Sequence, residues 1–161
     1  DTRRFAGDRA EVSDMLHLVE GEPEATTIGD LAPADHIPSD TFDCIILTQT
    51  LQLIYDFHAA IRTIHRILRP GGVLLATVPG ISQTYDTEWG GHWCWAFTPV
   101  SASRMFGDVF GEAQVSVEGH GNVLTAIAFL HGLSRQELSA PELAYDEAGY
   151  AVTVAVRAVR G

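Results

Sequence analysis

At 161 residues, with 46% hydrophobic and 19% charged side chains, the chain is long enough for one buried core and reads as a single domain over residues 1–161. Its formal net charge of −11, with all ten basic residues arginine, argues against a nucleic-acid backbone or an anionic membrane as partner, since both reward clustered cations. No apolar run approaches the roughly 18 residues of a membrane span, and Cys44 and Cys94 have no CxxC or ligand spacing, so a reducing cytoplasm is the expected setting.

The polar opening bends at Gly7-Asp8. Ala10 to Leu18 then reads as a strand with Asp14 placed toward its C-terminal end, and Ala25 to Ile28 as a second short strand that runs into Gly29-Asp30. A proline-bearing loop follows. Cys44 to Leu47 is an unbroken, β-branched apolar run, the pattern of a parallel strand covered on both faces. Asp56 can cap the next helix, in which Phe57, Ala60, Ile61, Ile64 and Leu68 share one stripe while Arg62, His65, Arg66 and Arg69 lie off it. Its cations collect where they complement the helix dipole. Pro70-Gly71-Gly72 is expected to stop the helix, and Val73 to Val78 to form the next buried strand. Strand, helix and strand in this compass make a right-handed parallel crossover.

After Pro79 comes a long, polar, aromatic stretch without a sustained period, of the kind that is usually functional within a compact domain. Pro99 opens a helix with Val100, Met105, Phe106, Val109 and Phe110 as its expected inward face. Ala113 to Glu118 alternates as a strand, Asn122 to His131 is apolar and helix-like, Arg135 to Leu138 is a short helix, and Tyr150 to Val159 alternates as the last strand.

On three phrases the chain resembles a known family. FDCIIL, the LQLIYD approach to a helix and HRILRPGGVLLATVP are similar to the fourth strand, following helix and fifth strand of class I methyltransferases that use S-adenosylmethionine, of the methyltransferase type 11 kind. The resemblance implies a Rossmann-like α/β fold with an open, mostly parallel sheet and an antiparallel last strand. It also implies that the first strand, with its Gly-rich motif, is missing. The domain is accordingly expected to be N-terminally incomplete, and either to close Ala10–Leu18 against Cys44–Leu47 or to fill the gap from another chain as a homo-oligomer.

The same resemblance supplies the site. Asp14 matches the acid that accepts hydrogen bonds from the cofactor ribose, though a solvated strand-end carboxylate is the bland alternative. Asp30 and Leu31, in the phrase GDL, match the adenine contact: a carboxylate can accept from the amino group and the Leu31 N–H can donate to a ring nitrogen, unless Asp30 merely caps a turn. Thr48 and Gln49 end the central strand where the family lines its active site. Gln52-Leu53 stands where Glu-His is common, so no catalytic base is assigned. Methyl transfer depends mainly on in-line positioning, which some acceptors need without a strong base. His58 and His65 are too far apart on their helix to share a metal, and no metal site is expected.

Trp89, Trp93, Trp95 and Phe97 could wall an acceptor pocket or plug the core. Two functions stay open: methyl transfer from S-adenosylmethionine to a small-molecule or glycan-related acceptor, and a non-catalytic methyltransferase-like remnant that binds or assembles. A dinucleotide oxidoreductase is a weaker option because no GxGxxG is visible.

Overall fold

The helix expected in the middle of the chain forms over Phe57–Ile67 (α1) in the computed structural model, which describes residues 12–83 and 90–161. Asp56 caps it, accepting the Ala59 backbone N–H at 2.9 Å and so satisfying a donor that has no partner inside the helix. Phe57, Ala60, Ile61 and Ile64 are buried, as their spacing requires. The helix stops earlier than the Pro-Gly-Gly phrase, because the next strand already begins at Leu68. Arg69 precedes a proline and is biased to extended backbone. Gly71, at φ +79°, donates its N–H to the Arg160 carbonyl at 2.7 Å. Asp56→Ala should destabilise the fold by about 1 kcal/mol and lower the melting midpoint by about 2–4 °C, whereas Asp56→Asn should melt like the parent. Equal midpoints for all three would show that the cap contributes nothing.

Four strands form one sheet: β3 (Phe42–Thr48), β4 (Leu68–Pro79), β5 (Val115–His120) and β6 (Thr153–Val159), in the order β3-β4-β6-β5. β3 and β4 are parallel, while β6 runs antiparallel to both β4 and β5, so the last strand has the expected direction. β1 (Leu16–His17) and β2 (Thr27–Ile28) make a separate parallel pair, each shorter than its sequence suggests.

Two expectations are corrected here. β1 begins at Leu16, so the exposed Asp14 precedes it instead of standing at its carboxyl end. β1 does not close on β3, whose outer edge has no partner strand among the described residues. Without a neighbour on that side, no residue of β3 is fully buried and Cys44 is exposed, not in the core.

Thr98 begins α2 (Pro99–Phe110) with a reciprocal capping box: Ser101 N–H donates to Thr98 Oγ1 at 3.0 Å and Thr98 N–H to Ser101 Oγ at 2.9 Å. Ala102, Phe106 and Phe110 are buried, but Val100 is 62% exposed, contrary to expectation. Two helical steps from Ala102 turn Val100 by about 200°, onto the opposite face. The apolar stretch after β5 forms α3 (Val123–Leu130), capped by Asn122. The predicted helix at Arg135 is only a 3-10 turn, Arg135–Glu137, and α4 (Ala140–Ala144) follows it.

Two arginines join these layers. Arg66 of α1 donates to the carbonyls of Ile37 at 2.7 Å and Ala34 at 2.8 Å, fastening the loop after β2 to the helix. Arg160 donates to the carbonyls of Arg66 and Leu68 and pairs with Asp40, which satisfies oxygens left free at the end of α1.

Candidate cofactor and acceptor site

In an open α/β sheet, ligands gather beyond the carboxyl ends of the parallel strands. At the end of β3, Thr48 lies opposite Thr77 of β4, and the chain then turns sharply at Gln49. Gln49 has φ +49°, a left-handed conformation uncommon for a residue with a side chain and often found at functional turns. It is held there by its own N–H, which donates to the Thr77 carbonyl at 2.9 Å.

A single 3-10 turn, Leu51–Leu53, comes next and buries Gln52 to 2% exposure. The Gln52 side-chain amide donates from Nε2 to the Gln49 carbonyl at 2.8 Å. Its backbone carbonyl accepts the N–H groups of Cys94 at 2.8 Å and Trp95 at 3.2 Å. These bonds tie the strand end to the aromatic segment.

Between them lies a cavity of about 560 Å³. Its apolar wall comes from Leu53, Pro79, Ile81, Trp93, Phe129 and Val152, and its polar groups from Gln49, Gln52 and Thr153. That volume falls within the range of small-molecule pockets.

The aromatic segment divides by function. Trp93 is half-buried and lines the cavity. Trp95 instead packs its ring edge-to-face on Phe57 at 5.2 Å and donates from Nε1 to the Ile54 carbonyl at 3.1 Å. Phe97 is 3% exposed and also meets Phe57 edge-on, at 5.7 Å. Both serve the core. Trp89 lies outside the described residues.

Asp30 stands just past the carboxyl end of β2, with one oxygen accepting the Ala32 N–H at 2.9 Å. The capping role weighed from the sequence is therefore present. The other carboxylate oxygen and the Leu31 N–H have no partner among the described residues, so an acceptor and a donor remain for a nucleobase edge. Thr63 anchors this loop by donating from Oγ1 to the Ala32 carbonyl at 3.1 Å.

A second cavity, of about 410 Å³, lies around His120, Gly121 and Asp146. Asp146 accepts the Gly121 N–H at 2.7 Å and lies 3.0 Å from His120 Nδ1. The first bond, then the second, holds its carboxyl below the usual range. No group of three metal-ligating side chains occurs among the described residues.

Residues 5–129 match the family model described as a methyltransferase domain. The chain belongs to that family. This methyltransferase domain is 28% identical over 103 residues to a ubiquinone/menaquinone biosynthesis C-methyltransferase of Enterobacter, a match covering 52% of the chain and 41% of that protein. It is 26% identical over 116 residues to a human mitochondrial arginine-hydroxylase, covering 65% of the chain and 34% of that protein. The chain thus spans well under half the length of either curated relative.

Among solved structures, a SAM-dependent methyltransferase of Thermotoga maritima, described as a possible histamine N-methyltransferase, superposes with a TM-score of 0.59 at 14% identity, covering 86% of the chain and 65% of its own. The fold class is thereby that of S-adenosylmethionine-dependent enzymes, and S-adenosylmethionine is the cofactor that goes with it. The polar groups left free at Asp30 and Leu31 fit an adenine edge. Phe129, Val152 and Thr153 were absent from the residues expected at the site, and Gln52 figured there only as standing in place of an acid. Gln52 had a signal, as the polar member of an otherwise apolar LQLI run, whereas Phe129, Val152 and Thr153 reach the cavity from distant elements.

Proposed function

We propose that this domain binds S-adenosylmethionine along the carboxyl ends of β2 and β3 and serves methyl transfer to a small-molecule acceptor held in the cavity beside Gln52 and Trp93. The observation that carries this reading is the cavity itself, which adjoins the strained end of β3 where the fold places its ligands. The cofactor, when bound, supplies an electrophilic methyl group on a sulfonium. Asp30 accepts from the adenine amino group, the Leu31 N–H donates to a ring nitrogen, and Thr48 and Gln49 offer polar groups at the end of β3.

Among the described residues, no carboxylate or histidine lines the cavity, and what those residues offer an acceptor is orientation and exclusion of water. Loss of a hydrogen bond to a charged group costs about 1.5–3 kcal/mol. Asp30→Asn, which keeps an oxygen for Ala32, should therefore weaken S-adenosylhomocysteine binding about tenfold or more in calorimetric titration. Unchanged affinity in the folded variant would reject the assignment.

The second reading is a non-catalytic assembly domain, favoured by the outer edge of β3, whose backbone groups have no strand partner among the described residues. It expects no S-adenosylhomocysteine binding together with concentration-dependent association in sedimentation.

A further inference from the structure

Gln52 Oε1 is buried and accepts no hydrogen bond, and it is the one such side-chain atom among the described residues. Leaving a buried acceptor unpaired typically costs about 1–3 kcal/mol, so a fold that retains one has a use for it or a partner to come. The oxygen is not free to turn away. Nε2 of the same amide is committed to the Gln49 carbonyl at 2.8 Å, and exchanging the two atoms would set oxygen against oxygen. The Gln52 backbone is fixed as well, through the bonds its carbonyl accepts from Cys94 and Trp95.

Among the described residues, the cavity that Gln52 helps to line is otherwise dominated by Leu53, Ile81, Trp93 and Phe129, with Gln49 and Thr153 its other polar members. A polyol would strand several hydroxyls against these walls, each at a cost. An apolar body with one donor would leave nothing unpaired.

We propose that Gln52 is the specificity-determining residue of the acceptor pocket: its Oε1 takes a hydrogen bond from the single hydroxyl or N–H of an otherwise apolar, ring-sized acceptor. This rests on the methyltransferase reading and narrows its acceptor to a class in which sugars do not belong. Gln52, as a neutral amide, orients the donor and removes no proton.

The test uses the full chain saturated with S-adenosylhomocysteine and three probes followed by protein NMR titration: 2-naphthol, 2-methoxynaphthalene, which cannot donate, and methyl glucoside. The parent should bind naphthol at least about tenfold more tightly than its methyl ether, the cost of an unanswered buried acceptor. Methyl glucoside should bind most weakly. Gln52→Met should bind the two naphthalenes alike.

Equal binding of the naphthalenes by the parent, preference for the glucoside, or discrimination that survives in Gln52→Met would overturn the proposal. A parent that binds no S-adenosylhomocysteine defeats the methyltransferase reading and this inference together, whereas one that binds it without selecting naphthol defeats the inference alone. If Gln52→Met does not fold, the comparison of naphthol with its ether on the parent still decides.

Discussion

Gly80→Ala is expected to lower stability by about 3 kcal/mol, toward the upper end of overpacking costs, and the melting midpoint by about 6–12 °C. A β-carbon on Gly80 would lie 2.0 Å from the Ala151 carbonyl oxygen and 2.9 Å from its carbon. Neither side can yield cheaply. Gly80 N–H donates to the Val152 carbonyl at 2.9 Å, and Pro79 and Thr153 pair in the ladder immediately beside it. Relief of the clash would therefore part β4 from β6 at the rim of the cavity beside Gln52 and Trp93. Gly91→Ala, with nothing within 4 Å of its new carbon, is the matched control and should change stability by less than about 0.5 kcal/mol. Thermal melts of the two variants that coincide with the parent would refute the close approach.

The two described tryptophans should separate just as clearly. Trp95→Ala removes a ring packed on Phe57 and leaves the Ile54 carbonyl without its donor, so a loss of about 3–5 kcal/mol is expected in urea titration. Trp93→Ala opens a cavity that already exists and should retain most of the parent's stability while weakening naphthol binding. A Trp93 variant that unfolds as readily as the Trp95 variant would return both rings to the core.

The central crossover was legible from sequence because each of its boundaries rests on local chemistry: a carboxylate cap at Asp56, a 3.6-residue apolar stripe and a proline–glycine stop. Its imprecision was not local. A helix can end as soon as extended pairing competes, and the bonds of Gly71 and Gly72 with Arg160 that draw Leu68 into β4 come from the far end of the chain. β3 misled for a related reason, since an apolar run records which residues could be covered on both faces and not whether a neighbour is in place.

The contiguous phrase GDL put Asp30 just past a strand end, where it stands, whereas Asp14 precedes β1 because the strand around it was drawn too long. The burial of Gln52 goes with backbone bonds from Cys94 and Trp95, and the apolar LQLI run around it is its one local signal. Val100 was assigned inward by hydrophobicity alone, against its helical phase.

The position of β6 between β4 and β5 also bears on how this domain forms on the ribosome. Among the described residues, β5 has no ladder except the one that β6 offers, and one side of β4 stays open until Thr153–Val159 has been made. At roughly 5–20 residues per second, the segment between His120 and Thr153 takes on the order of seconds to synthesise. Throughout that interval β5 can only wait, with α3 and its exposed Ile127, Phe129 and Leu130 emerging before the sheet has closed. The nascent chain therefore passes through a sticky, half-zipped stage, and stalled products that end before Thr153 should be the species that chaperones and proteases meet most often.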